Sequence, residues 1–116
     1  MLVETVNQLL APFATDALEV PEDPTADDLT PWRDRIDALD RTILQLLNER
    51  STCANRIGAI KKKLDMPVYV PSREEEVLQK VAGANNGPLP DTAVRNIFER
   101  IIDETRSLER KKYQTE

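Results

Sequence analysis

The chain has 116 residues, a formal net charge of −5, 4% aromatics, no histidine and one cysteine. That length suits one domain, and the acidic balance argues against a nucleic-acid groove or partner. Without histidine, and with Cys53 alone, the sequence argues against zinc sites and against Cys-His or Ser-His nucleophiles, and it allows no internal disulfide. Few aromatics and only 3 glycines disfavour a β-sandwich. Abundant Leu, Ile, Ala, Glu, Lys and Arg favour helices, so an all-α fold is expected. No Gly-rich phosphate loop is present, and neither a metal nor a cofactor is expected. No apolar run approaches membrane-spanning length, so no membrane partner is expected. Met1-Leu2-Val3-Glu4 lacks the basic start of a secretory signal, so a cytoplasmic protein is expected.

Residues 1–29 read as an N-terminal extension. Val3, Val6, Leu9 and Leu10 would line one side of a short amphipathic helix over Glu4 to Leu10. Pro12, Pro21, Pro24 and the acidic stretch from Glu19 to Asp28 then read as an extended, solvated linker. The extension is also the segment that would dock a partner enzyme.

The helical domain, residues 30–116, opens at Thr30-Pro31, with Thr30 as N-cap and Pro31 at the first helical position. This first helix is very long, running to about Leu64 before Pro67 stops it. Its seam reads Trp32, Ile36, Leu39, Ile43, Leu46, Arg50, Cys53, Ile57, Ile60 and Leu64, in alternating steps of four and three. Trp32 and Cys53 read as packing residues on it. Lys61, Lys62 and Lys63 complement the dipole at its end. Ser72 and Glu75 suggest a capping box for a shorter helix over about residues 73–83, with Val77, Leu78 and Val81 on its apolar face. Asn86-Gly87-Pro88 marks a turn. Asp91 is expected to cap a third helix carrying Val94, Ile97, Phe98, Ile101, Ile102, Thr105 and Leu108 along one side.

A helix of about 34 residues is about 51 Å long at 1.5 Å per residue, whereas a compact domain of this size has a radius of gyration near 13 Å. Two short helices cannot cover that seam. The three-helix chain is therefore expected to form an intertwined homodimer with the long helices packed together.

Arg50 interrupts the apolar seam, and a cation there is costly unless something anionic meets it. Its partner is either a protein carboxylate or a ligand. Lys61 points within about 20° of Arg50 and lies about 16 Å further along the axis, so the pair could grip the two ends of a small dianion. Arg33 is about 26 Å from Arg50 along the same helix and cannot share one small ligand with it in one chain. In an antiparallel dimer the partner's Arg33 could arrive beside both. Glu109 follows Phe98, Ile102 and Thr105 at helical spacing and so faces inward. Arg73 and Glu74 open the second helix.

This ordered set resembles the all-helical (type II) chorismate mutases, and in particular the mutase domain of bifunctional chorismate mutase/prephenate dehydratase proteins. The resemblance rests on Trp32-Arg33-Asp34-Arg35-Ile36-Asp37-Ala38-Leu39-Asp40, Leu46-Leu47-Asn48-Glu49-Arg50 and Ile57-Gly58-Ala59-Ile60-Lys61. It continues through Pro67-Val68-Tyr69-Val70-Pro71-Ser72-Arg73-Glu74, Gly87-Pro88-Leu89 and Phe98-Glu99-Arg100-Ile101-Ile102, covering residues 31 to about 112. It implies an isomerase that converts chorismate to prephenate by a Claisen rearrangement, in phenylalanine and tyrosine biosynthesis. It implies an intertwined homodimer whose sites draw on both subunits.

Carried onto this chain, the resemblance makes Arg50 and the partner subunit's Arg33 ligands of the substrate carboxylates. Lys61 would donate to the ether oxygen, with Glu109 meeting it from the other side. Arg73 would support the carboxylate end, Glu74 would accept from the ring hydroxyl, and Thr105 would line the pocket. The sequence departs from some relatives at Val70, where an Asp meets the hydroxyl, so that contact falls to Glu74 or to backbone. The Glu109 position is Gln in some members. A Glu donates only when protonated, so activity should fall as pH rises.

Two other functions fit the same residues. An isochorismate pyruvate lyase, which forms salicylate, shares the fold and the cationic positions, although Gly87-Pro88-Leu89 and Arg73-Glu74-Glu75 look more like the mutase branch. A non-catalytic helical dimerisation module would need Arg50 only for an ion pair. No sequence after Tyr113 remains to encode a dehydratase, so the chain as given is expected to be monofunctional.

Overall fold

A computed structural model describes residues 19–114, with side chains described as far as residue 108. The helix expected over residues 4–10 and the side chain of Glu109 lie outside the described residues. The described chain is helical: a 3-10 turn at Ala26–Asp28 leads into α1 (Leu29–Lys63), followed by α2 (Pro71–Ala84) and α3 (Asp91–Gln114). No helix among the described residues is long and apolar enough to cross a membrane. The chain divides into two units, Met1–Asn48 and Glu49–Glu116.

In the first unit the helix start differs from the expectation. Thr30 is not the cap. The Thr25 backbone N–H donates to Asp28 Oδ2 at 2.7 Å, and the 3-10 turn it closes runs straight into α1 at Leu29. The turn supplies the first hydrogen bonds, so Thr30 and Pro31 are already inside the helix. Trp32 is half-buried here, whereas Ile36, Ile43 and Leu46 are each at least 51% exposed.

In the second unit α1 ends on a Schellman arrangement. The Met66 N–H reaches the Lys61 carbonyl at 2.8 Å, and the Asp65 N–H reaches the Lys62 carbonyl at 3.2 Å. Asp65 takes the left-handed conformation this requires, at φ 55°. Aspartate is one of the few non-glycine residues that tolerates it, and the crossed bonds satisfy carbonyls a helix end would leave orphaned. The helix therefore terminates before Pro67 has to stop it.

α2 begins earlier than the sequence suggests. Pro71 sits at its first position and the Val70 carbonyl accepts from Arg73 N–H and Glu74 N–H at 3.0 and 3.2 Å. Proline's fixed φ starts the helix there at no cost in N–H groups. Ser72 therefore lies within the first turn and no Ser72–Glu75 capping box forms. Glu75 instead receives Arg95 of α3 at 3.2 and 3.3 Å. α3 likewise takes its first bond on Pro90, whose carbonyl accepts from Val94 N–H at 3.1 Å, so Asp91 stands in the first turn rather than at the cap. Asp91 accepts from Asn85 Nδ2 at 2.8 Å, and the same amide donates to the Leu89 carbonyl at 2.7 Å. Asn85 Oδ1 accepts from Gly87 N–H at 3.0 Å. One asparagine thus stitches the α2–α3 turn, with Gly87 at φ 75° supplying the bend a side chain would resist.

α2 packs on α3, and their contact buries Leu78, Val94 and Ile102. Each such side chain contributes about 1.5–3 kcal/mol by leaving water. Ile57, Ile60 and Leu64 of α1, with Met66 just after it, stay at least half exposed.

Candidate active site

The second unit encloses a cleft of about 450 Å³ between the last half of α1, the 64–70 connection, α2 and α3. That volume suits a small organic ligand. The apolar part of the wall includes Ile57, Val68, Val70, Val77 and Ile102. Against it stand four cations, Arg50, Lys61, Arg73 and Arg106, and one described carboxylate, Glu74. The cleft is therefore positive inside a chain of net charge −5, which suits an anionic ligand.

Arg50 leaves the α1 seam half-buried and donates from Nη1 to Thr105 Oγ1 at 3.1 Å. The Thr105 hydroxyl spends its one proton on the Ile101 carbonyl, at 2.8 Å, so it can only accept from the guanidinium. Among the described residues, none of the ion pairs involves Arg50. A half-buried guanidinium held by a neutral hydroxyl keeps its charge and most of its fork for something else.

Lys61, three turns further along α1, donates from Nζ to the Val68 carbonyl at 3.1 Å. An ammonium has three donors, and this bond commits one of them. Glu74, from the first turn of α2, accepts from Arg106 Nη1 at 2.8 Å, both side chains being a quarter exposed. Arg106 Nη2 also reaches Asp103 at 2.9 Å, and its guanidinium lies over the Tyr69 ring at 4.6 Å. Arg73 lines the cleft but turns its guanidinium to Glu76 at 3.2 Å on the exposed face of α2. The Glu76 carboxyl is held below its ordinary value, first by its hydrogen bond from Lys80, then by the Lys80 and Arg73 charges.

Five of the residues expected at the site, Arg50, Lys61, Arg73, Glu74 and Thr105, line this one cleft. Arg33 is an exposed residue of the first unit and is not among them. The Glu109 side chain lies outside the described residues. Cys53, expected in the core, is exposed and lines the cleft, because in a single chain nothing packs on that part of the seam. Arg106 is a wall residue that the sequence reading does not single out. Its signal is present, since it follows Ile102 by four residues on the inward face of α3. Among the described residues no group of three His, Cys, Asp or Glu is placed to hold a metal ion.

The comparisons with known proteins agree with this geometry. The chain is 42% identical over 89 residues to the bifunctional chorismate mutase/prephenate dehydratase of Aquifex aeolicus, covering 73% of this chain and 25% of that protein. It is 43% identical over 82 residues to the protein of the same name from Neisseria gonorrhoeae, covering 71% and 22%. The chain thus spans about a quarter of the length of these curated relatives. Among solved structures, the form II chorismate mutase of Thermus thermophilus superposes with a TM-score of 0.69 at 37% identity, covering 70% of this chain and 92% of that one. The family model "Chorismate mutase type II" matches residues 32–110, the stretch that carries nearly all of the long helix and every described wall of the cleft, and the chain belongs to that family.

Proposed function

We propose that this chain is a chorismate mutase that rearranges chorismate to prephenate, as a homodimer with two shared sites. The observation that carries this is Arg50, a half-buried cation in an apolar-walled cleft with a neutral partner and with Lys61 on the same wall. The reaction is an isomerisation in which the ether C–O bond breaks as a C–C bond forms, in one cyclic shift of electrons. No proton leaves, so the protein contributes placement and charge alone. Arg50 and the partner subunit's Arg33 hold the substrate carboxylates and fold it into its reactive shape. Lys61 and Glu109 meet the ether oxygen as negative charge builds on it. The apolar wall keeps water away from that charge, and in those drier surroundings each donor counts for more.

The test is the loss of chorismate ultraviolet absorbance with purified protein, Arg50→Ala run beside it and prephenate identified as product. Turnover of isochorismate in place of chorismate would move the chain to pyruvate lyase chemistry. Silence on both substrates would leave a helical dimerisation module.

The dimer is supported by the seam, where Ile36, Ile43, Leu46, Ile57, Ile60 and Leu64 each stand more than half exposed. So much unpartnered apolar surface on one helix marks an association face. Sharing of sites has a sharp consequence. Arg33→Ala and Arg50→Ala should each be inactive alone, yet mixing them through unfolding and refolding should restore activity. A mixed dimer has one site with both arginines and one with neither, so equal amounts should recover about a quarter of wild-type turnover. No recovery would place Arg33 outside the site.

Glu109 sets the pH dependence. Ionised, it repels the developing oxyanion; protonated, it donates to it. kcat/KM should fall as pH rises from about 5 to about 9, and Glu109→Gln should flatten the profile. A flat wild-type profile would remove Glu109 from this role. The bifunctional relatives couple mutase to prephenate dehydratase by name. A prephenate-consuming enzyme is accordingly the partner that the N-terminal extension would dock.

A further inference from the structure

Arg106 belongs to none of the roles above, yet it is the most heavily engaged cation of the cleft. Its guanidinium is held from three sides: Glu74 Oε1 at 2.8 Å, Asp103 Oδ1 at 2.9 Å and the face of Tyr69 at 4.6 Å. A planar fork fixed in this way cannot swing toward a ligand without giving up all three partners. Its charge instead acts on Glu74, the one described carboxylate in the wall.

We propose that Arg106 is a specificity-setting positioning residue, which offsets the charge of Glu74 by pairing with one of its oxygens and leaves the other to a ligand, so that the site prefers a ligand hydroxyl over an ammonium. The inference rests on the mutase function proposed above, in which Glu74 receives the ring hydroxyl. A bare carboxylate beside apolar wall would attract an ammonium more strongly than a hydroxyl. With Arg106 paired to it on the cleft side, and to Asp103 on the outer side, the carboxylate's charge is offset and an incoming cation meets the guanidinium as well as the carboxylate. A neutral hydroxyl suffers no such penalty and still finds the free oxygen. This is discrimination by a repulsive element built into the wall, and it disfavours the amino-substituted analogue of chorismate specifically. Val70 sharpens the dependence, because valine offers the hydroxyl no second acceptor.

The experiment compares kcat/KM for chorismate with the inhibition constant of the amino analogue, in which an amine replaces the ring hydroxyl. Wild type, Arg106→Gln, Arg106→Lys, Glu74→Gln and the Glu74→Gln/Arg106→Gln double variant are measured, with melting curves on each. Arg106→Gln should shift the preference toward the amine by about tenfold or more. Arg106→Lys, which keeps the charge, should hold most of the wild-type preference. In the Glu74→Gln background, loss of Arg106 should change the ratio less than about twofold, since the carboxylate it acts on is gone. Arg106→Met, which keeps the stem over Tyr69, serves in the same comparisons if Arg106→Gln fails to fold. An equal loss for both compounds, with the ratio unchanged, would make Arg106 a structural brace and overturn the inference alone. No wild-type turnover of chorismate would instead overturn the proposed function, and this inference with it.

Discussion

Replacing Arg50 with leucine is expected to raise the melting temperature and to cut turnover sharply in the same molecule. The two effects have one cause. Arg50 is half-buried on a helix seam of leucines and isoleucines, and the described chain gives it only the Thr105 hydroxyl. Desolvating a guanidinium for one neutral hydrogen bond is a net cost, and an apolar side chain of similar volume at such a place is often more stable by about 1–4 kcal/mol. Because the site is half-open, the low end applies. About 1 kcal/mol corresponds to about 4 °C in a domain of this size. The same substitution removes the bidentate grip on a substrate carboxylate. Deleting one partner of such a desolvated charge pair costs about 2–5 kcal/mol, so kcat/KM should fall by about 30-fold to several thousandfold. Melting and turnover should therefore be measured on one preparation. A lower melting temperature would show that Arg50 serves the fold, against everything its partners indicate. Arg50→Lys should recover little, since an ammonium cannot offer the paired geometry.

Lys61→Ala should separate the two kinetic constants. Charge on the ether oxygen is larger in the transition state than in the ground state, so losing a donor aimed at it lowers kcat rather than raising KM. Loss of one such donor typically costs about 10²–10³ in kcat. The ammonium is already pre-positioned by the Val68 carbonyl at 3.1 Å, which holds it in place before substrate arrives. If Lys61→Ala raised KM with kcat intact, the lysine would be a plain carboxylate ligand. Backbone damage is a smaller concern, because the contact of residue 61 with the helix terminator runs through its main chain.

The helices and most of the cleft are legible in the sequence because they depend on periodicity and residue type. The seam from Trp32 to Leu64 and the face from Val94 to Ile102 repeat with the helix, and a cation at Arg50 breaks the pattern visibly. The helix starts depart from the sequence reading for a shared reason. Thr30, Ser72 and Asp91 are good caps by composition, but Pro71 pre-organises the turn before Ser72, and the 3-10 turn tied by Thr25 and Asp28 enters α1 ahead of Thr30. Local competition between two adequate caps is settled by geometry the residue types do not carry. The Asn86-Gly87-Pro88 turn is visible in the sequence, whereas its organiser, Asn85, is not, because its bonds to Leu89 and Asp91 close only once both helices are placed. The place of Arg106 on the inward face of α3 is legible from its spacing after Ile102, but its pairing is not. Its partner Glu74 is 32 residues away, and nothing local names that partner.

The turn that ends α1 also limits what length the following connection can have. Lys61 is tied to that connection twice, by its own carbonyl to Met66 N–H and by its ammonium to the Val68 carbonyl. Surface connections usually drift freely in length among related proteins. This one works as a gauge: adding or deleting a residue between Asp65 and Val68 would move the carbonyl that holds the ammonium. Variation in this lineage should therefore gather in the identities of Met66 and Pro67, while the count of residues from Lys61 to Val68 stays fixed.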